Sequence, residues 1–253
     1  MSSHKALQPV LFVGAGPGAA RHLTLGAYQA LKMADVVIHD RLVGDEIMAL
    51  IPARVARVDV GKEGFGPSAT QAAINAALVA HALTGARVVR LKGGDPGIFG
   101  RLDEEIAALE AQGLAYEILP GLTAASVAAA SIGQSLTQRG RNAALRIVTG
   151  HDMAGFAEQD WRGLARAGEV AAIYMGKKAA RFLQGRLMMH GALAETPVTL
   201  VENVSRADQR IHAATLASLP EVAALCSGPA VILFGLAPRA ARSVIPALNE
   251  ATA

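Results

Sequence analysis

Residues 9–18 read Pro9-Val-Leu-Phe-Val-Gly-Ala-Gly-Pro-Gly18. A short apolar run stops at glycine, and Thr24 stands where it would cap a helix through Leu25, Tyr28 and Leu31. An apolar run, a glycine turn and a capped helix make the first half of a βα unit. The same reading fits Arg87 to Leu91, which ends in Lys92-Gly-Gly-Asp-Pro96. Between them, Asp35 to Asp40 reads as a buried strand with polar ends. A helix is expected over Gln71 to Leu83, with Ser68 as its cap and Gly85 as its stop. A helix from Asp103 to Gln112, a strand from Leu114 to Leu119 and a small-residue helix from Ala124 to Ile132 follow. Strands and helices in alternation predict α/β layers joined by crossover connections.

A second group begins near Leu136. Its expected strands are Leu145 to Val148, Val170 to Tyr174, Val198 to Val201 and Ala230 to Phe234, with a helix from Ala179 to His190. Polar and basic residues cluster at Gln134 to Asn142, between two apolar segments. We therefore expect an N-terminal α/β domain over 1–135 and a C-terminal α/β domain over 136–253.

Composition narrows the function classes. Apolar residues make up 52% of the 253 positions, enough for a sizeable core. The charge balance is 24 Lys+Arg against 21 Asp+Glu, a net +3. That excess is too small for a nucleic-acid signature, so no nucleic-acid partner is expected. No stretch reaches the roughly 18–20 uninterrupted apolar residues of a membrane span, so no membrane partner is expected either. Cys226 is the one cysteine and cannot make an internal disulfide, which fits a cytoplasmic location. The seven histidines make no H-E-x-x-H or other ligand spacing, and no metal is expected.

The two glycine turns are the first candidates for chemistry. Gly14 to Ala19 fits G-x-G-x-x-A, with Asp35 and Asp40 about 20 residues on, as in dinucleotide-binding enzymes. Against this, Pro17 removes an N–H donor that a phosphate would use. A dinucleotide, another nucleotide-like ligand and a purely structural turn all remain readings of this loop. At the second turn, Gly93 and Gly94 let a ligand lie against bare backbone, and Asp95 can accept hydrogen bonds. Ionisable residues gather near the same strand ends: Asp40, Arg41, Lys62, Arg101, Glu104 and Glu105. Glu104 lies three residues after Arg101, so on a helix the two share a face and can aim the guanidinium at a carboxylate. Glu105 reads as solvated surface. Asp40 is a base candidate. Met175 reads either as core or as a cofactor wall.

These segments together carry a resemblance. They are VGAGPG (13–18), LTLGAYQALKMADVVIHDRLV (23–43), VGK (60–62), VVRLKGGDPGIFGR (88–101), EE (104–105), LPGLTAASVAAA (119–130), SLTQR (135–139), VTGH (148–151), YMG (174–176), VEN (201–203) and GPAVILFG (228–235). In this order, over nearly the whole chain, they resemble the S-adenosylmethionine-dependent tetrapyrrole (precorrin) methylases. DRLV with RLKGGDPxIFGR is similar to the uroporphyrinogen-III branch of that family.

The resemblance implies two α/β domains with the active site in the cleft between them, and a homodimer. It implies S-adenosylmethionine against Pro17, Gly93, Gly94, Asp95, Ile98, Thr123, Ala124, Met175, Val204 and Ala230. S-adenosylhomocysteine would be the by-product. Asp40 would match the family's proton acceptor and Lys62 its proton donor. Arg101 and Glu104 would match the pair beside a tetrapyrrole substrate. The implied reaction is methylation of uroporphyrinogen III at carbons 2 and 7 to give precorrin-2. The alternative is a sister methylase acting on another ring position or a later precorrin. The chain departs from the family at Glu63 to Ser68, where a basic segment with His-Ser is usual. It also departs at Leu102-Asp103, Gln138 and Val204.

Overall fold

A computed structural model describes residues 6–61 and 70–239. Lys62, the Glu63 to Ser68 segment and the expected cap Ser68 lie outside the described residues. The chain divides into two compact units. The first comprises the described residues of Met1–Val127 with Asn203–Asp208, the second those of Ala128–Glu202 and Gln209–Ala253.

In chain order, the first unit contains β1 (Val10–Gly14), α1 (Leu25–Met33), β2 (Val36–His39), α2 (Asp45–Ala49), β3 (Ala56–Asp59), α3 (Gln71–Leu83), β4 (Val88–Lys92), α4 (Leu102–Glu110) and β5 (Tyr116–Leu119). Then α5 (Ala124–Ser131) runs across the division between the units. Thr24 caps α1 by accepting from Ala27 N at 3.1 Å, as its spacing predicts. At α3 the cap is Thr70, which accepts from Ala73 N at 3.2 Å and stands next to the first helical residue.

The five strands form a wholly parallel sheet in the order β3-β2-β4-β1-β5. β1 and β4 are neighbours, yet the chain leaves β1 for β2 on one side and leaves β4 for β5 on the other. The order therefore reverses between β1 and β4, where open α/β sheets bind ligands at their carboxyl ends. Alternation along each strand builds two cores. Val13, Val37, Val89 and Leu91 pack with Ala27, Leu31 and Ile47 beneath α1 and α2. Phe12, Val36, Ile38 and Val88 pack with Ile74, Leu78 and Leu109 beneath α3 and α4. Period two puts Arg90 and Lys92 on the face of Val88, the α3 and α4 side.

The second unit contains β6 (Arg146–Thr149), the hairpin β7 (His151–Asp152) and β8 (Gly155–Phe156), α6 (Trp161–Leu164), β9 (Ala171–Tyr174), α7 (Ala180–Met189), β10 (Pro197–Glu202), β11 (Arg210–Thr215), α8 (Leu219–Leu225) and β12 (Ala230–Phe234). Its main sheet runs β11-β10-β12-β9-β6. Here the crossover expectation holds only for β6 and β9, which pair in parallel; the other pairs are antiparallel. Ile173, Leu200, Ile232 and Phe234 pack with Leu164, Leu183, Leu187 and Leu219 from α6, α7 and α8. Among the described residues no helix is long and apolar enough to cross a membrane.

Candidate active site

At the carboxyl ends of β1 and β4 the two glycine turns are pinned to each other. Ala15 N donates to Lys92 O at 2.8 Å, Gly16 N to Gly94 O at 3.1 Å, and Gly94 N to Gly16 O at 2.8 Å. The loop after β5 joins them through Asp95. One carboxylate oxygen accepts from Gly97 N and the other from Gly121 N, each at 2.9 Å. Thr123 Oγ1 accepts from Ala125 N at 3.2 Å and so opens α5.

The glycines of this cluster are needed for backbone contact. A Cβ on Gly14 would stand 2.8 Å from Gly94 O and 2.6 Å from Gly121 Cα. A Cβ on Gly18 would stand 2.6 Å from Arg206 Cγ and 3.1 Å from Val204 O. The Asn203–Asp208 segment is fastened at this point: Ala19 N donates to Ser205 Oγ at 2.9 Å, and Arg206 Nη2 donates to Leu42 O at 2.8 Å. Gly14 and Gly18 are thus used up in packing loop on loop, and Gly16, the glycine that would approach a pyrophosphate, spends its N–H on Gly94 O, which argues against the cradle reading of GAGPG. Gly94 differs. Its φ is +73° and a Cβ there would meet none of the described residues within 4 Å. Bare backbone facing open space at a switch point fits a flat ligand such as an adenosyl group.

Of the other cofactor candidates, Pro17, Gly93, Asp95, Ile98, Thr123, Ala124 and Ala230 are partly exposed, and Val204 is buried. Met175 follows β9 with φ +52° and is half exposed; its carbonyl oxygen lies 3.0 Å from His151 Nδ1. In the second sheet Ile232 pairs with Ile173 and Glu202 with Ala230. That register puts Met175, Ala230 and Glu202 at one end of the sheet.

Asp40 closes β2, and Arg90 Nη2 donates to its Oδ1 at 2.6 Å. Arg90 is 1% exposed and Lys92 3%. Both meet Glu105, which corrects the expectation of a solvated residue: Glu105 is 1% exposed. Its Oε1 accepts from Arg90 Nη2 and from Lys92 Nζ, each at 2.9 Å. The cause is helical spacing. Glu105 shares the inward stripe of α4 with Leu109, four residues on, facing the strand side that carries Arg90 and Lys92. Burial opposes the Arg90 charge, but Asp40 and Glu105 outweigh it and raise its pKa. Burial, then the Arg90 charge, lowers the Lys92 pKa. The result is a charge-compensated network under the sheet end. It holds Asp40 from below and leaves its side chain 31% exposed.

Arg101 and Glu104 meet as their spacing predicts. Nε and Nη2 donate to the two Glu104 oxygens, each at 2.7 Å, a two-pronged pair. Arg101 begins α4 at φ +54°, and Phe99 before it has φ +51°. Two left-handed non-glycine residues within three positions mark a shaped loop. The pair is about half exposed, so it offers its fork outward.

The pattern of the Tetrapyrrole (Corrin/Porphyrin) Methylases matches residues 9–220. The chain belongs to this family. A siroheme synthase from Edwardsiella ictaluri is 46% identical over 226 residues, 89% of this chain and 49% of that protein. One from Yersinia pseudotuberculosis is 41% identical over 232 residues, 92% of this chain and 49% of that protein. The chain thus spans about half the length of these relatives. Among solved structures, a uroporphyrin-III C-methyl transferase from Thermus thermophilus complexed with S-adenosyl homocysteine is 36% identical, with TM-score 0.77 over 90% of this chain and 97% of that one. A cobalt precorrin-4 methyltransferase at 23% identity and TM-score 0.80 shares the fold.

Sequence reasoning missed Arg90, Lys92 and Glu105 as one unit. The available signal was two cations at alternate positions of an otherwise apolar strand, which require an anion on the covering helix.

Proposed function

We propose that the chain is an S-adenosylmethionine-dependent C-methyltransferase that converts uroporphyrinogen III to precorrin-2 by methylation at carbons 2 and 7. The observation that carries this reading is the open backbone at Gly94. It stands beside the pinned turns of β1 and β4, in a chain similar over 90% of its length to a protein complexed with S-adenosyl homocysteine.

When bound, the sulfonium cofactor supplies an electrophilic methyl group to an electron-rich ring carbon. The residues proposed to hold it are Pro17, Gly93, Gly94, Asp95, Ile98, Thr123, Ala124, Met175, Val204 and Ala230. Asp95 acts by bracing Gly97 and Gly121, so it keeps the floor of the adenosyl site in register. Asp40 accepts the proton lost from the methylated ring. Arg90 fixes its Oδ1 and leaves the rest of the carboxylate for the substrate. Lys62 is the proposed proton donor. Arg101, stiffened by Glu104, binds a propionate or acetate of the tetrapyrrole through its planar fork. Assembly as a homodimer in the cytoplasm completes the proposal.

Calorimetric titration with S-adenosylhomocysteine and, separately, NAD tests the cofactor half. S-adenosylhomocysteine binding without NAD binding is expected. Tighter binding of NAD would overturn it.

A further inference from the structure

The second unit holds three ligand-type side chains that methyl transfer does not use: Glu202, His212 and Cys226. Three elements bring them together. Glu202 ends β10. β10 and β11 pair with Leu200 opposite His212 and Glu202 opposite Arg210, so Glu202 and His212 are diagonal neighbours on one face. Cys226 follows the last residue of α8 and packs in the core beneath it with Leu200 and Leu219. One ligand atom from each residue lies within 4.8 Å of the others.

The carboxylate is held ready. Glu202 Oε1 accepts from Ser227 Oγ at 3.2 Å and from Gly228 N. Lys177 Nζ in turn donates to the carbonyls of Cys226, Ser227 and Gly228 at 2.9, 3.0 and 2.9 Å, fixing the loop that carries both Cys226 and the Gly228 donor. The other oxygen, Oε2, is buried in a side chain 1% exposed and has no hydrogen-bond partner among the described residues. His212 Nε2 is buried and also without one. The two atoms stand 3.6 Å apart, beyond a hydrogen bond. A buried carboxylate oxygen facing an imidazole nitrogen across such a gap leaves both atoms unsatisfied.

The geometry points to a binding site for a zinc-class dication, with Glu202 Oε2, His212 Nε2 and Cys226 Sγ as its three protein ligands. Two ligands of a tetrahedral ion at about 2.0–2.2 Å lie roughly 3.3–3.6 Å apart, which is the separation found between Glu202 and His212. A thiolate, an imidazole and a carboxylate suit zinc or cobalt and not magnesium or calcium, which take oxygen ligands. Thiolate and carboxylate together balance the charge of a dication in a buried place. Three protein ligands leave one position for water. The Ser227, Gly228 and Lys177 contacts act as the outer shell that orients the ligands. None of the three ligands has a role in the proposed methyl transfer, although Glu202 pairs with the cofactor candidate Ala230, and metal binding and methyl transfer are tested separately.

The test is cobalt titration of the untagged, chelator-treated full chain, with absorption spectra and metal analysis. The expected result is about one cobalt per chain, tetrahedral visible bands and a thiolate-to-cobalt charge-transfer band, all displaced by zinc. Cys226→Ser should abolish the charge-transfer band. It and His212→Gln should each weaken binding by no less than about tenfold, the lower range for even an outer-shell change. Circular dichroism of both variants establishes that they are folded. The wild-type spectrum decides the matter even if a variant does not fold: absence of the charge-transfer band overturns the proposal. Binding of equal strength in a folded Cys226→Ser would show adventitious metal and overturn it too.

Discussion

Glu105 holds two cations in a place where water does not reach, and its removal takes the carboxylate from Lys92 and leaves Arg90 to Asp40. Glu105→Gln keeps the volume and one acceptor oxygen but not the charge. Breaking a buried pair from one side costs about 3–5 kcal/mol. Urea unfolding should therefore show a loss of that size, and a loss under 1 kcal/mol would mean that water or Asp40 compensates. Arg101 is the opposite case, a paired but exposed cation. Arg101→Lys keeps the charge and loses the fork, so turnover should fall strongly while S-adenosylhomocysteine affinity stays nearly unchanged. Equal loss of both would assign Arg101 to the cofactor pocket. The Arg101 to Glu104 pair was legible because three residues on a helix bring side chains together. Glu105 was misread because a charged side chain next to Glu104 looks like more of the same exposed face. Only the strand it covers, with cations at alternate positions, reveals that the helix turns it inward.

At the scale of elements, long apolar strands, capped helices and the edge strands β5 and β6 were legible, and the edge strands β3 and β11 were not. β1, β2, β4, β9, β10 and β12 are apolar runs because both faces are covered or one is deeply buried. β3 is Ala-Arg-Val-Asp and mostly exposed, and β11 carries Arg210, His212 and Thr215. Such edge strands are defined by a neighbour's backbone, not by their own hydrophobicity. The short helix α6 was missed for its length, although Asp160 announces it by accepting from Gly163 N at 3.0 Å. That bond, with burial opposing it and Arg146 assisting, lowers the Asp160 pKa below its usual value. A depressed carboxylate contributes its stability above the unfolded pKa of about 3.9, and loses it as pH falls through the lower folded value. Asp160→Asn still caps but does not titrate. Its acid unfolding limb should be shallower than that of the wild type below about pH 4; an identical limb would mean that the cap bond is absent in solution. The pinned turns make a further prediction. Gly121→Ala puts a Cβ against the Gly94 carbonyl, a clash with backbone that no side-chain rotation relieves. It should cost about 1–3 kcal/mol in thermal unfolding and weaken S-adenosylhomocysteine binding in parallel. Normal binding with normal stability would separate the β5 loop from the cofactor floor.

For the whole molecule, the parallel sheet and the ends of β1 and β4 follow from the sequence, and so does membership of the tetrapyrrole methylases. The second sheet differs from the simple alternation because its later strands turn back on one another, and strand runs alone do not encode direction. What unites the account is that one sheet end carries an open backbone at Gly94, an acid fixed by a buried arginine and a presented guanidinium. The proposed function uses that combination to hold a sulfonium donor beside an acidic, electron-rich ring. The most direct measurement is anaerobic incubation of the purified chain with uroporphyrinogen III and S-adenosylmethionine, with product masses and S-adenosylhomocysteine followed together. The account predicts a tetrapyrrole that gains two methyl groups and loses two protons, so that it is heavier by two CH2 units, with two S-adenosylhomocysteines released for each. No methyl transfer to uroporphyrinogen III by protein that binds S-adenosylhomocysteine, or transfer only to a later precorrin, would contradict it.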